Sequence, residues 1–425
     1  MGTVSGMTPI DRAHAESLDA GDPLGHLADR FVVDDPELIY LDGNSLGRLP
    51  RSTLARLAAV AEQEWGSGLI RSWDTWIDLP ARCGDLIARS LLGAEPGEVV
   101  VSDSTSVNLY KLAVAALDAQ SGRDVIVTDD DNFPTDRYIV EGLAAQRGLE
   151  LRMVASDPVH GPDPARLAAA IDERTALVTL SHVGYRSAAL ADLAAITALA
   201  HRSGALVLWD LCHSAGSVPV ELAAAGADLA VGCTYKYLNA GPGAPAFLYV
   251  RRDLQAGLRQ PIWGWFGQRD QFTMGPGYDP EPDIRRFTVG TPAVLGVAAV
   301  EEGVQVLAEA GIDRLREKGR RMTAYLVDLA DEWLAPLGFE LVSPRDPDRR
   351  GSHISLRHDD AWRICRAYIE TANVIPDFRA PDRLRLGPAP LTTRYVEVWE
   401  AMDRLRRLVG SGAHLAYGAE RGRVT

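Results

Sequence analysis

Short runs of β-branched residues alternate with Ala- and Leu-rich helical segments through the middle of this 425-residue chain. Strands that alternate with helices are typical of a mainly parallel sheet with helices on both faces, which binds its ligand beyond the carboxyl ends of the strands. We therefore predict an α/β fold with a seven-stranded central sheet. The seven predicted strands are Glu98–Val101, Val125–Thr128, Leu151–Val154, Ala176–Leu180, Ala205–Trp209, Leu229–Cys233 and Ala246–Val250.

Both ends of the chain differ from this middle part and predict a second, smaller α+β domain. A long Ala-, Leu-, Glu- and Arg-rich stretch predicts a helix through Val300–Ala330, and short strand patterns follow at Gly338–Val342 and His353–Arg357. The predicted division is 1–75 as an N-terminal contribution to the small domain, 76–300 as the large domain, and 301–425 as the remainder of the small domain.

The composition argues against several classes of partner. The net charge of −14 and the pI of about 5.2 disfavour binding to nucleic acid or to an anionic membrane. No apolar run reaches the roughly 20 residues that a membrane span needs. The four cysteines lack C-x-x-C spacing, so neither a metal site nor a disulfide framework is predicted, and we expect a protein of the reducing cytoplasm.

Two charged residues follow the ends of two predicted strands. Asp210 ends one apolar run, and Lys236, one of only three lysines in the chain, comes shortly after the run Leu229–Cys233. A buried ammonium group needs compensation, and a Schiff base with an aldehyde removes its charge. An amine for the aldehyde carbon and a carboxylate for the pyridinium nitrogen are the two groups that a pyridoxal phosphate enzyme requires. The pair therefore predicts this cofactor, and a purely structural ion pair is the alternative.

A hydroxyl-rich turn predicts where the phosphate of the cofactor binds. The segment Val99–Tyr110 runs from a strand into a helix, with Thr105 and Ser106 at the helix start. Free backbone N–H groups, the positive end of the helix dipole and hydroxyl donors all favour an anion there. Simple N-capping of the helix by a serine or threonine is the alternative.

Four further residues are candidates for contact with the cofactor. Phe133 could stack on its ring, Asp136 could accept a hydrogen bond from a ring substituent, and His213 could pack over the ring. The alternatives are a strand-to-helix loop capped by Asp136 and a satisfied, partly buried histidine. Tyr235, next to Lys236, could bind the phosphate or transfer a proton.

Three other segments suggest a ligand or an interface. Asp42–Gly47 is a turn rich in backbone donors and small polar side chains. Pro261–Gly267 combines three aromatic residues with two glycines, which suits a flat ligand or a dimer interface. Arg385 is flanked by apolar residues, so its buried guanidinium would need a carboxylate. The α-carboxylate of a substrate would suit its bidentate fork, and a structural salt bridge is the alternative.

Taken together and in this order, these segments resemble those of the kynureninase family. The similarity runs over nearly the whole chain, and Lys236-Tyr-Leu-Asn-Ala-Gly-Pro-Gly243 is far more specific than a general cofactor-lysine pattern. The other segments that carry the resemblance are Gly43–Gly47, Phe133–Asp136, Gly264–Gly267 and Arg385–Leu391.

The resemblance implies a fold-type I pyridoxal phosphate enzyme that forms a homodimer with active sites near the subunit interface. It implies hydrolysis of the β–γ carbon bond of L-kynurenine, 3-hydroxykynurenine or a ring-substituted relative to an anthranilate and L-alanine. The implied catalytic residues are Lys236, Tyr235 and Asp210. The implied binding residues are Thr105, Ser106, Tyr235, Trp265 and Thr291 at the phosphate, Phe133, Asp136, Ser181, Asp210 and His213 at the ring, and Asn44, Ser45 and Arg385 at the substrate.

Two residues depart from the family pattern, and the first of them could lie near the aryl group of the substrate, so ring-substituted substrates stay possible. Gln268 stands where many relatives have histidine, and Thr234 replaces the commoner serine before Tyr-Lys. A cysteine desulfurase or selenocysteine lyase is the nearest alternative, but its nucleophile would have to be Cys365, in a segment predicted to be helical. A non-enzymatic regulator that binds pyridoxal phosphate should carry a basic helix-turn-helix, which the acidic first 75 residues do not supply.

Overall fold

The computed structural model describes residues 10–420, and the predicted domain bounds at residues 1–9 and 421–425 lie outside the described residues. The strands are β1 (Ile39–Tyr40), β2 (Val99–Val101), β3 (Val125–Asp129), β4 (Glu150–Val154), β5 (Thr175–Ser181), β6 (Leu206–Asp210), β7 (Leu229–Gly232), β8 (Phe247–Val250), β9 (Glu340–Leu341), β10 (Ile354–Arg357), β11 (Val374–Ile375), β12 (Asp377–Arg379) and β13 (Arg383–Leu386). The α-helices are α1 (Arg12–Ala20), α2 (Arg51–Ala59), α3 (Trp73–Trp76), α4 (Leu79–Ile87), α5 (Thr105–Ala119), α6 (Pro134–Arg147), α7 (Pro164–Ala170), α8 (Leu193–Arg202), α9 (Arg252–Gln255), α10 (Val294–Ala310), α11 (Ile312–Leu329), α12 (Ala361–Ala372) and α13 (Tyr395–Gly410).

The large sheet has seven strands in the order β2-β8-β7-β6-β5-β3-β4, which confirms the predicted mainly parallel α/β architecture. Only β8 runs against its neighbours, since it is antiparallel to both β7 and β2. Alternate residues of each central strand pack on opposite faces: Val125 and Val127 join one core and Ile126 joins the other. Cores on both faces explain why these strands are apolar throughout.

The predicted helix over Val300–Ala330 is in fact part of two helices. α10 ends at Ala310 and α11 begins at Ile312. Gly311 lies between them with a φ of 80°, a backbone conformation that glycine adopts far more readily than other residues. The chain therefore turns at Gly311 and leaves the large sheet for the small one.

The small sheet has four antiparallel strands in the order β12-β13-β10-β9. Its core includes Met322 of α11 and Met402 of α13. The N-terminal strand β1 pairs in parallel with β11, and the next residue, Leu41, joins the same core. Leu24 and Leu27, by contrast, pack in a core of the large sheet, so residues 10–75 contribute to both cores.

Three observations bear on the excluded classes of partner. Among the helices of residues 10–420, none is long and apolar enough to cross a membrane. The same residues contain no group of three or more His, Cys, Asp or Glu side chains placed to hold a metal ion. All four cysteines are buried free thiols.

Candidate active site

Several predicted site residues meet at the carboxyl edge of the large sheet. Ser181, the last residue of β5, pairs with Asp210, the last residue of β6. The neighbouring strand β7 ends at Gly232, and the turn that follows carries Tyr235 and Lys236. Because parallel strands end at the same edge, three adjacent strands deliver these polar groups to one place.

Lys236 is buried, and its amine contacts His213. Nζ lies 3.0 Å from Nε2 of His213 and 5.8 Å from the centre of the Phe133 ring. Burial, followed by the charges of Lys236 and Arg385, lowers the pKa of His213 well below its ordinary value. A neutral His213 can therefore accept a hydrogen bond from the amine and orient it. The sequence predicted a histidine near the cofactor ring, and the structure adds this contact with Lys236.

Asp210 and Asp136 form a carboxyl pair. Oδ1 of Asp210 accepts the Cys212 N–H at 2.7 Å, and Oδ2 lies 3.4 Å from the Ser181 hydroxyl. Burial, followed by the charge of Asp210, raises the pKa of Asp136 well above its ordinary value. Two hydrogen-bonded carboxyl groups do not both ionise. Because the pKa of Asp136 is raised, Asp136 is the member that holds the proton.

The carboxyl pair fits the ring nitrogen of the predicted cofactor. Oδ2 of Asp136 is buried and has no hydrogen-bond partner within residues 10–420. A protonated pyridine nitrogen at Asp210, with a donor substituent of the same ring at Asp136, would satisfy both members of the pair. Phe133, whose ring packs edge-on against Tyr185 at 5.3 Å, offers an aromatic surface beside the same place.

A cavity of about 570 Å³ opens at the start of α5. Thr105, Tyr235 and Thr291 line it, so the structure brings together three of the five residues predicted at the phosphate. Ser104 is the N-cap of α5, where its side chain accepts a backbone N–H at 3.4 Å. Simple N-capping is thus the role of Ser104. The Thr105 oxygen accepts from the Cys212 thiol at 3.9 Å, and its own O–H can still donate to a ligand.

Ser106 and Trp265, the other two residues predicted at the phosphate, do not line this cavity. Ser106 is exposed on α5. Trp265 is 38% exposed, and its ring packs edge-on against Phe266 at a centre-to-centre distance of 4.5 Å. Within one chain, Phe266 rather than Trp265 borders the cavity.

Arg385 on β13 is buried and already paired. It forms an ion pair with Asp377, its register partner on β12. Nη1 donates to the Tyr185 carbonyl at 2.7 Å, and Nη2 donates to the Ser45 hydroxyl at 2.6 Å. With its oxygen facing the arginine, the Asn44 amide accepts from Nε at 2.9 Å. The structural salt bridge that the sequence left as an alternative is present, and Asn44 and Ser45 contact the same guanidinium.

The turn that carries Asn44 and Ser45 is held against the loop of Lys236. Gly47 donates its N–H to the Tyr235 carbonyl at 2.8 Å. A Cβ at Gly47 would lie 2.3 Å from the Lys236 carbonyl oxygen, so glycine alone permits this close approach. The N-terminal turn thereby reaches the edge of the large sheet.

Three residues of this site were not predicted from the sequence: Tyr185, Asp377 and His353. Tyr185 and Asp377 both contact Arg385. His353 is buried next to His213, with ring centres 5.6 Å apart. None of the three belongs to a motif, and only their places at or near strand ends could have indicated them.

Known proteins that are similar to this chain include members of the kynureninase family. Residues 315–405 match the family described as Kynureninase C-terminal domain, and residues 91–226 match the DegT/DnrJ/EryC1/StrS aminotransferase family. The kynureninase of Pseudomonas fluorescens is 46% identical over 401 residues, which cover 92% of this chain and 94% of that protein.

Solved structures share the fold at low sequence identity. The cysteine desulfurase CsdA from Escherichia coli has a TM-score of 0.77 at 16% identity, covering 92% of this chain and 98% of that one. A variant of the cystine C–S lyase C-DES, with glycine covalently linked to its PLP cofactor, has a TM-score of 0.76 at 20% identity, covering 87% and 97%. These structures establish the fold-type I architecture of the chain and nothing narrower.

Proposed function

The chain belongs to the kynureninase family, and on that premise we propose that it hydrolyses the β–γ carbon bond of L-kynurenine, 3-hydroxykynurenine or a ring-substituted relative to an anthranilate and L-alanine. The observation that carries the proposal is the position of the Lys236 amine, 3.0 Å from His213 and close to the Asp136–Asp210 pair. An amine and a carboxylate so placed are the two protein groups that pyridoxal phosphate chemistry needs.

The residues present fit pyridoxal phosphate as the cofactor. Lys236 would take its aldehyde carbon and Asp210 its ring nitrogen, while Thr105, Tyr235 and Thr291 would bind its phosphate at the start of α5. When bound, the cofactor supplies an electron-accepting ring that makes the protons of the attached amino acid acidic.

Lys236 and Tyr235 are the residues we assign to proton transfer. Neutral His213 orients the Lys236 amine, which can then remove the proton at the substrate α-carbon. Burial raises the pKa of Tyr235 above its ordinary value, so its hydroxyl stays protonated and can act as an acid. One water adds to the γ-carbonyl, and the β–γ bond then breaks. We assign the proton transfers in these two steps to Tyr235.

The substrate carboxylate is assigned to Arg385. Asn44 and Ser45 hold its guanidinium in place from the N-terminal turn. Asp377 pairs with Arg385 and also with Arg379, whose Nη2 lies 2.8 Å away, and Asp42 lies 3.7 Å from Nη2 of Arg385. The two arginines are thus balanced by two carboxylates, and the anionic substrate group is assigned to the one N–H of the Arg385 guanidinium that has no partner among the described residues.

We further propose a homodimer that associates through the segment Ile262–Met274. Five apolar side chains of this segment are between 37% and 70% exposed: Ile262, Trp263, Trp265, Phe272 and Met274. Exposed apolar patches rich in aromatic residues are typical of protein interfaces. Because Phe266 of the same segment borders the cofactor cavity, a second subunit on this surface would lie near the site. A cytoplasmic location stays a prediction from the cysteine pattern.

A cysteine desulfurase is not favoured. Cys365 lies within α12 and is fully buried, and burial raises its pKa to about 12. A reactive cysteine needs an accessible thiolate. Cys365 therefore lacks both the exposure and the charge state that attack on a substrate requires.

Turnover of three substrates in parallel tests the proposal. Purified protein supplied with pyridoxal phosphate is given L-kynurenine, 3-hydroxykynurenine or L-cysteine. Release of the matching anthranilate with alanine supports it, and the ratio of the two rates identifies the preferred ring. Sulfide from cysteine without any aryl product from the kynurenines would overturn it.

A further inference from the structure

His353 shares one face of the small sheet with Arg385. It directly precedes β10, so the alternation of that strand places it on the same face as Ser355. Ser355 is the register partner of Arg385, whereas Ile354 and its partner Leu386 pack in the core on the other face. His353 is therefore a diagonal neighbour of Arg385 across the strand pair.

His353 is buried without a hydrogen-bond partner of its own. It is fully inaccessible, and neither ring nitrogen makes a hydrogen bond within residues 10–420. The backbone of Tyr185 raises the pKa of His353 as the smallest of five influences, but the two groups do not reach the geometry of a hydrogen bond. Buried imidazoles in folded proteins are normally paired, so an unpaired one at the edge of an active site indicates a ligand.

The surroundings of His353 favour an anion. Burial and the charges of Arg385 and Lys236 lower the pKa of His353 well below its ordinary value, so its ring is neutral and offers one N–H donor. The ring of His213 lies 5.6 Å away, centre to centre. A donor that is flanked by two cations suits a carboxylate better than a neutral acceptor.

Arg385 cannot bind a carboxylate with two parallel N–H donors. Its Nε donates to Asn44, and its Nη2 is taken by Ser45 and Asp377. Nη1 donates one hydrogen to the Tyr185 carbonyl, which leaves one N–H of the guanidinium without a partner among the described residues. A carboxylate has two oxygens, so its second oxygen needs a donor from elsewhere.

We propose that His353 is a substrate-binding residue whose ring N–H binds the second oxygen of the α-carboxylate held by Arg385. This inference rests on the proposed function, because it completes the amino-acid site that the proposed reaction needs. It also explains why an unpaired imidazole is buried there: the substrate is its partner.

Binding of two small amines to the holoenzyme tests the assignment without measuring turnover. L-alanine carries the carboxylate, and ethylamine is the same molecule without it; each is titrated while the absorbance of the bound cofactor is followed. His353→Leu removes the donor, and His353→Gln restores a side-chain N–H. We expect the Kd of L-alanine to rise about tenfold in His353→Leu and to return to within about threefold in His353→Gln, because one charge-assisted hydrogen bond is lost and regained. The Kd of ethylamine should stay unchanged in both.

An unchanged ratio of the two Kd values in His353→Leu would overturn the proposal. His353→Ala provides the same comparison if the leucine variant does not fold. His414→Leu is the matched control, since His414 is also buried in the small domain but lies near Asp360, away from the site. The unaltered protein is assayed with L-kynurenine separately: carboxylate-dependent binding that needs His353 without kynurenine turnover would reject the proposed function and leave this assignment standing.

Discussion

Nζ of Lys236 lies 3.0 Å from Nε2 of His213, at the place where the loops after β6 and β7 meet. Each loop follows a buried strand, and the parallel pairing of these two strands brings the loops together at one edge of the sheet. The neutral imidazole can accept from the amine without adding a second positive charge to the site. This contact places the amine next to the carboxyl pair of Asp136 and Asp210.

Replacing Lys236 should abolish the reaction. We expect Lys236→Ala to lower turnover by about 10³-fold or more, because the covalent attachment point and the base are both lost. Lys236→Arg is the matched variant, since it keeps the positive charge but cannot carry the aldehyde. Steady-state rates and the absorbance of bound cofactor measure the effect, and near-normal turnover by either variant would contradict the role of Lys236.

The two members of the carboxyl pair should respond differently to amide substitution. Asp136 holds the proton, so Asp136→Asn replaces one neutral group by another and should lower kcat/KM by less than about tenfold. Asp210→Asn removes the charged partner of the ring nitrogen, which we expect to cost about 3 kcal/mol, or about 100-fold. Parallel kinetics of the two variants test this order, and a reversed order would contradict the assignment of the proton to Asp136.

A side chain at Gly47 should disturb the site from the N-terminal turn. In Gly47→Ala the new Cβ would meet the Lys236 carbonyl oxygen at 2.3 Å, so we expect a loss of about 2 kcal/mol in the free energy of unfolding, together with reduced activity. Gly142→Ala is the control: it lies in α6 with nothing within 4 Å of the added atom and should be neutral or slightly stabilising. Denaturant unfolding of the two variants measures the effect. Equal losses in the free energy of unfolding would contradict close packing at Gly47.

Trp265→Ala should weaken the proposed dimer. Loss of a central interface tryptophan typically costs about 2 kcal/mol, which corresponds to a dimer Kd raised about 30-fold. Tyr138→Ala removes another exposed aromatic side chain, 64% accessible on α6, and should leave association unchanged. Sedimentation equilibrium over a range of concentrations measures both, and a monomeric unaltered protein at micromolar concentration would reject the interface.

Asp129, at the end of β3, should make the fold less stable as the pH rises. Burial, followed by the charge of Asp131, raises its pKa to about 7 from an ordinary value of 3.8. The native state thus binds this proton more tightly than the unfolded chain. Its contribution to the free energy of unfolding is therefore complete below about pH 4 and is lost as the pH rises through 7. Asp129→Asn removes this dependence. The free energy of unfolding of the unaltered protein, relative to Asp129→Asn, should therefore fall between pH 5 and pH 8, and a constant difference would contradict the assignment.

The large sheet and its site were predictable because both depend on local patterns. Parallel strands that are covered on both faces are short, continuous apolar runs, and the polar residue after each run falls at the ligand-binding edge. The polar residues after these apolar runs include Ser181, Asp210 and Lys236. The sequence also indicated Thr105 at the start of α5, although the capping role belongs to Ser104.

The small sheet and the surroundings of Arg385 were not predictable in the same way. β13 reads Arg-Leu-Arg-Leu, and its arginines are buried only because partners such as Asp377 lie on a neighbouring strand. β1 pairs with β11 from the opposite end of the chain, a contact without a local sequence signal. His353 has no motif at all, and its importance is visible only once β10 and β13 are in register.

The amounts of the two products formed from L-kynurenine test the central claim most directly. The holoenzyme is incubated with L-kynurenine, and anthranilate and L-alanine are quantified in the same samples over time. Hydrolysis of the β–γ bond predicts that both appear in equal amounts as kynurenine disappears, and that neither appears with Lys236→Ala. Consumption of kynurenine without anthranilate, or no consumption by a protein that binds pyridoxal phosphate at Lys236, would contradict the account.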